Sequence, residues 1–90
     1  MVKLATIKVY GEVQGVFFRE SARQEALKLG LNGFARNEPD GAVCIEAEGN
    51  EENLKKLIDW CRRGPEMAKV TKIEVEYSDE LKFYKDFEIA

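Results

Sequence analysis

Ninety residues, 44% apolar and 34% charged, predict one small domain spanning residues 1–90. The balance of 14 basic against 17 acidic residues leaves a net charge of −3, without the basic face that duplex nucleic-acid binding needs. There is no histidine, which removes serine-histidine and cysteine-histidine triads, imidazole bases and histidine metal ligands.

In chain order, residues 4–11 alternate, with Ala5, Ile7 and Val9 apolar between Thr6, Lys8 and Tyr10. This predicts a half-buried strand closed by Gly11. After a loop containing Gly15, the period lengthens from Phe18 to Leu29. Phe18, Ala22, Ala26 and Leu29 share a helical face, and Gly30 supplies the stop. Residues 31–37 predict a second strand anchored by Phe34. Glu38-Pro39-Asp40-Gly41 has turn composition, and residues 42–48 alternate again through Val43, Ile45 and Ala47, which makes a hairpin.

Asn50 stands where an N-cap belongs, with Glu51 and Glu52 in the favourable first turn. Leu54, Leu57, Ile58 and Cys61 follow as a buried helical stripe, ended by Gly64-Pro65. Residues 69–77 predict another strand, with Ile73, Val75 and Tyr77 on one face. Phe83, Phe87 and Ile89 predict a short final strand, and Phe18, Phe34, Phe83 and Phe87 are expected in the core.

The order is βαββαβ with a short fifth C-terminal strand. Its natural solution is an α+β, ferredoxin-like α/β sandwich, with two helices on one face of a mainly antiparallel sheet. In that topology the first two strands run parallel with the third between them. Residues 12–19 then lie near residues 37–41. Cys44 and Cys61 fall on opposite sides of the sheet, so two free thiols are expected. No apolar run approaches the ~20 residues of a membrane span, and the N-terminal residues lack an apolar leader. A cytoplasmic chain with no membrane attachment is the expectation.

Two segments carry candidate chemistry. Gly11 to Arg19 joins a strand to a helix, where successive backbone amides and the helix N-terminus can form an anion cradle. Arg19, in the first helical turn, is unfavourably placed unless an anion binds beside it. The same segment also reads as an ordinary loop with a solvated arginine. Asn37 ends the second strand. Its carboxamide can hold a water without taking its proton, or can simply bond the backbone of its own turn.

Together these segments resemble the acylphosphatase family over nearly the whole chain. Gly11-Glu12-Val13-Gln14-Gly15-Val16-Phe17-Phe18-Arg19 is similar to the family's G-x-V-Q-G-V-x-F-R. Gly33-Phe34-Ala35-Arg36-Asn37 is similar to its glycine–aromatic–small–basic–asparagine pattern, and Asp40-Gly41-Ala42-Val43 and Glu48-Gly49 also fit. The resemblance implies hydrolysis of acyl phosphates to a carboxylate and inorganic phosphate, with no cofactor, metal or phosphoenzyme. It implies that Arg19 and the backbone amides of Gly15, Val16, Phe17, Phe18 and Arg19 bind the phosphate, and that Asn37 positions the attacking water. Glu38, beside Asn37, places a negative charge near an anionic substrate. A monomer is the simplest expectation. Two alternatives stand: a non-catalytic ferredoxin-like module that binds phosphate compounds, and an RNA-recognition domain stacking bases on Tyr10 and Tyr77, against which the acidic balance and the missing RNP pattern argue.

Overall fold

A computed structural model describes residues 1–90. The elements are β1 (Val2–Glu12), α1 (Phe18–Lys28), β2 (Asn32–Asn37), β3 (Val43–Asn50), α2 (Glu51–Cys61), β4 (Lys69–Ser78) and β5 (Phe87–Ile89). The five strands form one sheet in the order β4-β1-β3-β2-β5. β3 pairs antiparallel with both β1 and β2, so those two run parallel; β5 pairs parallel with β2. This is the ferredoxin-like arrangement expected from the element order.

The apolar alternation sets the layers. Ala5, Ile7 and Val9 of β1 and Val43, Ile45 and Ala47 of β3 are fully buried beneath the helices. They meet Phe18, Ala22 and Ala26 of α1 and Leu54, Leu57, Ile58 and Cys61 of α2. Both helices end as their sequences dictate. After α1, Gly30 donates to Leu27 and Leu31 donates to Ala26, a 5→2 and 6→1 pair that closes the last turn. Leu31 therefore belongs to the helix stop, and β2 starts one residue later than the periodicity predicts. At α2, the Asn50 side chain accepts from the Glu52 amide at 2.9 Å.

Three expectations are corrected. β1 does not stop at Gly11; it continues to Glu12 through a register shift at Tyr10/Gly11 opposite β4. Phe34 does not anchor the core. In β2 the inward positions belong to Gly33 and Ala35, and strand alternation turns Phe34 outward, where it meets Tyr84 edge-on at 6.0 Å and the Arg36 guanidinium at 5.1 Å. Phe83 is 76% exposed and has φ 57°, so it is not core either. It lies in the segment 79–86, which carries the chain from β4 to β5 without strand pairing of its own.

Cys61 sits in the core, and burial pushes its thiol up to about 12. Cys44 lies on the other face of β3, and the two cysteines are unpaired. Tyr10 and Tyr77 do not share a face. Tyr10 donates to Glu74 on the outer face, whereas Tyr77 is in register with Ala5 on the helix side.

Candidate active site

The parallel run of β1 and β2 brings their carboxyl ends to the same edge of the sheet. Val9 and Asn37 are both in register with Val43, on either side of it. The loop after β1 and the last residue of β2 thus become neighbours across one intervening strand. Between them lies a cleft of about 260 Å³. Gly15, Arg19, Glu20 and Asn37 supply its polar lining, and Val13, Phe17, Phe18 and Ile89 its apolar lining.

The loop backbone is shaped to leave its amides free. Gly15 has φ 76° and Phe17 has φ 63°, ψ 24°, both left-handed. Phe17 is the N-cap of α1 and has no side chain able to cap it. The first backbone hydrogen bond of the helix runs from Ser21 to the Phe17 carbonyl at 3.0 Å, and the amides from Gly15 to Glu20 donate to no protein acceptor. The N-terminus of α2 is closed by Asn50, whereas that of α1 is left open toward the cleft. A run of free donors with the partial positive charge of a helix start has the chemistry to hold an anion.

Arg19 adds a full charge. Its guanidinium makes no ion pair with an Asp or Glu side chain; its one hydrogen bond is long, 3.4 Å, to the main-chain oxygen of Ala90. The adjacent Glu20 is engaged along its own helix, accepting from Arg23 at 3.2 Å and Gln24 at 3.1 Å. Glu38 is likewise drawn off, paired with Arg36 at 3.3 Å and outside the cleft lining. That pairing holds the Arg36 guanidinium above its ordinary pKa, first through the hydrogen bond to Glu38 and then through its charge.

Asn37 supplies a different feature. Its Oδ1 is the one buried side-chain oxygen or nitrogen without a hydrogen-bond partner. An unpaired buried acceptor costs about 1–3 kcal/mol. The residue that carries this acceptor also lines the cleft.

Of the residues the sequence singles out, Gly15, Phe17, Phe18, Arg19 and Asn37 converge on the cleft. Val16 does not line the cleft, and its side chain packs against the core. Phe18 contributes through a buried ring stacked obliquely on Trp60 at 5.4 Å, which fixes the start of α1 from below. Gln14 has no task that the sequence discloses, and the structure gives it one. Its Nε2 donates to the carbonyls of Glu38 and Ala42, each at 2.9 Å, and so clamps the loop to the turn after Asn37. Asp40 braces the same turn: its hydrogen bond from the Ala42 amide, then that from Lys8, holds its carboxyl below the ordinary range. Ile89 of β5 reaches the cleft because β5 adds to the free edge of β2.

The family model for acylphosphatase matches residues 5–89. The chain belongs to the acylphosphatase family. An acylphosphatase of Thermococcus kodakarensis is 47% identical over 75 residues, covering 83% of this chain and 82% of that one. One of Aeropyrum pernix is 48% identical over 86 residues, covering 94% and 85%. The crystal structure of acylphosphatase from Bacillus subtilis superposes with a TM-score of 0.95 at 39% identity, over 100% of this chain and 99% of that one. Both the family and the fold implied by the two motifs therefore hold for this acylphosphatase chain.

Proposed function

We propose that this enzyme hydrolyses the carboxyl–phosphate bond of acyl phosphates in the cleft between the β1–α1 loop and Asn37, by direct attack of a positioned water. The observation that carries the reading is the pairing, in one cleft, of a donor-rich anion cradle with a buried, unpartnered acceptor.

The amides of Gly15 to Arg19 and the Arg19 guanidinium hold the phosphoryl oxygens. Arginine suits this task because its planar fork can pair two oxygens and stays charged. The carboxamide oxygen of Asn37 accepts from a water and points it at phosphorus. The water oxygen bonds to phosphorus, the phosphorus–carboxyl oxygen bond breaks, and the carboxylate leaves with the bonding pair. Both of the water's protons depart on the phosphate product.

Such a carboxylate has a conjugate acid of pKa about 4 by analogy with Asp and Glu, so it needs no acid to leave. An alkoxide would. A histidine-free site whose single carboxylate is tied to Arg23 and Gln24 is matched to the activated substrate. What remains for the protein is positioning and charge stabilisation by fixed donors. The two free thiols support a cytoplasmic site of action. No helix is long and apolar enough to cross a membrane. The cleft draws its lining from Val13 through Ile89, so residues 1–90 act as one catalytic domain.

The test is initial-rate hydrolysis of benzoyl phosphate with EDTA present, wild type beside Arg19→Ala. Wild-type turnover that survives EDTA is expected, with kcat/KM falling by about 10²-fold or more in the variant. Folded wild type that does not turn over benzoyl phosphate, or a variant that keeps wild-type kcat/KM, overturns the reading.

A further inference from the structure

Phe17 is 77% exposed although it is one of the largest apolar side chains in the molecule, and it holds a left-handed backbone that a bulky residue rarely adopts. The fold gains almost no burial from its ring. Ile89, on the opposite chain end, is 42% exposed and lines the same cleft. Val13 is fully buried behind them. In the proposed hydrolysis the amides and Arg19 face the phosphate and Asn37 the water, while Glu20 accepts from Arg23 and Gln24 along its own helix. The rest of the cleft lining is apolar. The acyl portion of the substrate then lies against that apolar surface.

We infer that Phe17 and Ile89 form an apolar lip that recognises the acyl group, making the enzyme selective for acyl phosphates with aryl or larger alkyl chains over small or polar ones. The inference rests on the proposed hydrolysis in this cleft and extends it to the substrate. Covering Phe17 and Ile89 with the acyl chain removes apolar surface from water on both partners. Acetyl phosphate offers only a methyl group to cover them, and a carbamoyl group gives up water against an apolar surface.

The experiment compares kcat/KM for benzoyl and acetyl phosphate in wild type, Phe17→Asn, Phe17→Leu and Ile89→Ser. The ratio of the two substrates in each variant is divided by the wild-type ratio, so that the intrinsic reactivity of the two substrates cancels. Asparagine is chosen because it tolerates the left-handed backbone better than phenylalanine, which keeps the amide cradle in shape. The benzoyl/acetyl ratio is expected to fall about tenfold in Phe17→Asn and several-fold in Ile89→Ser, with Phe17→Leu in between. A ratio unchanged in Phe17→Asn and Ile89→Ser, whatever the loss common to both substrates, overturns the lip and leaves the hydrolysis standing. A folded wild type inactive on both substrates overturns the hydrolysis itself.

Discussion

Asn37 and Gln14 are both carboxamides at one edge of the sheet, and their surroundings give them opposite tasks. Gln14 spends its amino group on two main-chain carbonyls, whereas the Asn37 oxygen is buried with nothing to accept. One braces the loop and the other is left with a free acceptor. Replacing Asn37 by Ala is accordingly expected to lower kcat by about 10²-fold while inhibition by inorganic phosphate stays near wild type, because the cradle is built from other residues. Lost phosphate inhibition with saturated turnover intact would contradict the assignment. The placement of Arg19 and Asn37 at one cleft was legible in the sequence because both belong to recognisable motifs. That of Gln14 was not, since its acceptors are backbone carbonyls that every residue type carries. The exposure of Phe17 was also hidden, because only the left-handed backbone at that position reveals it.

At the scale of elements, local periodicity located every strand and helix, but it could not weigh the residues within β2. An aromatic in a short strand reads as its anchor. The strand instead carries glycine and alanine at its inward positions. At Gly33, with φ 154°, an added Cβ would stand 1.8 Å from the Glu46 carbonyl oxygen and 3.1 Å from the Ala47 Cα. Neither is the tip of a flexible side chain, so the strands themselves would have to part. Gly33→Ala is therefore expected to destabilise the fold by about 2–4 kcal/mol in urea unfolding. The variant's stability lying within experimental error of wild type would show that β2 moves freely against β3. Because Asn37 closes the same strand, its placement depends on this contact. The glycine that opens the second motif thus serves the asparagine that ends it, through the strand between them.

The whole molecule has one long connection that the sequence did not announce. The chain leaves β4 at one edge of the sheet and must reach β5 at the other, about 19 Å away across five strands. Residues 79–86 can span roughly 26 Å when extended, so the strap has little slack. It shows no periodicity because it is pinned by polar bonds across the outer face rather than by a buried stripe. Glu48 accepts from the amides of Lys82 and Tyr84, Glu46 accepts from the Tyr84 hydroxyl and from the Lys82 ammonium at 2.9 Å, and Asn32 donates to the Tyr84 carbonyl at 3.0 Å. Burial alone would raise the Glu46 carboxyl; the hydrogen bonds from Tyr84 and Lys82, with the Lys82 charge, outweigh it and hold it below its ordinary value. A carboxyl depressed in the folded state stabilises that state above its unfolded pKa, about 4.3, and the contribution is lost as pH falls through the lower folded value. The sign fixes the expectation for Glu46→Gln. Glutamine keeps an acceptor but cannot ionise, so the variant should be less stable than wild type at pH 6. The gap should narrow toward pH 3, while the remaining carboxylates, common to both proteins, largely cancel in the difference. Urea unfolding of the two proteins at both pH values measures it, and a gap that does not narrow would mean the Glu46 charge does not hold the strap. The strap that Glu46 pins leads directly into β5, the strand that brings Ile89 to the cleft lining.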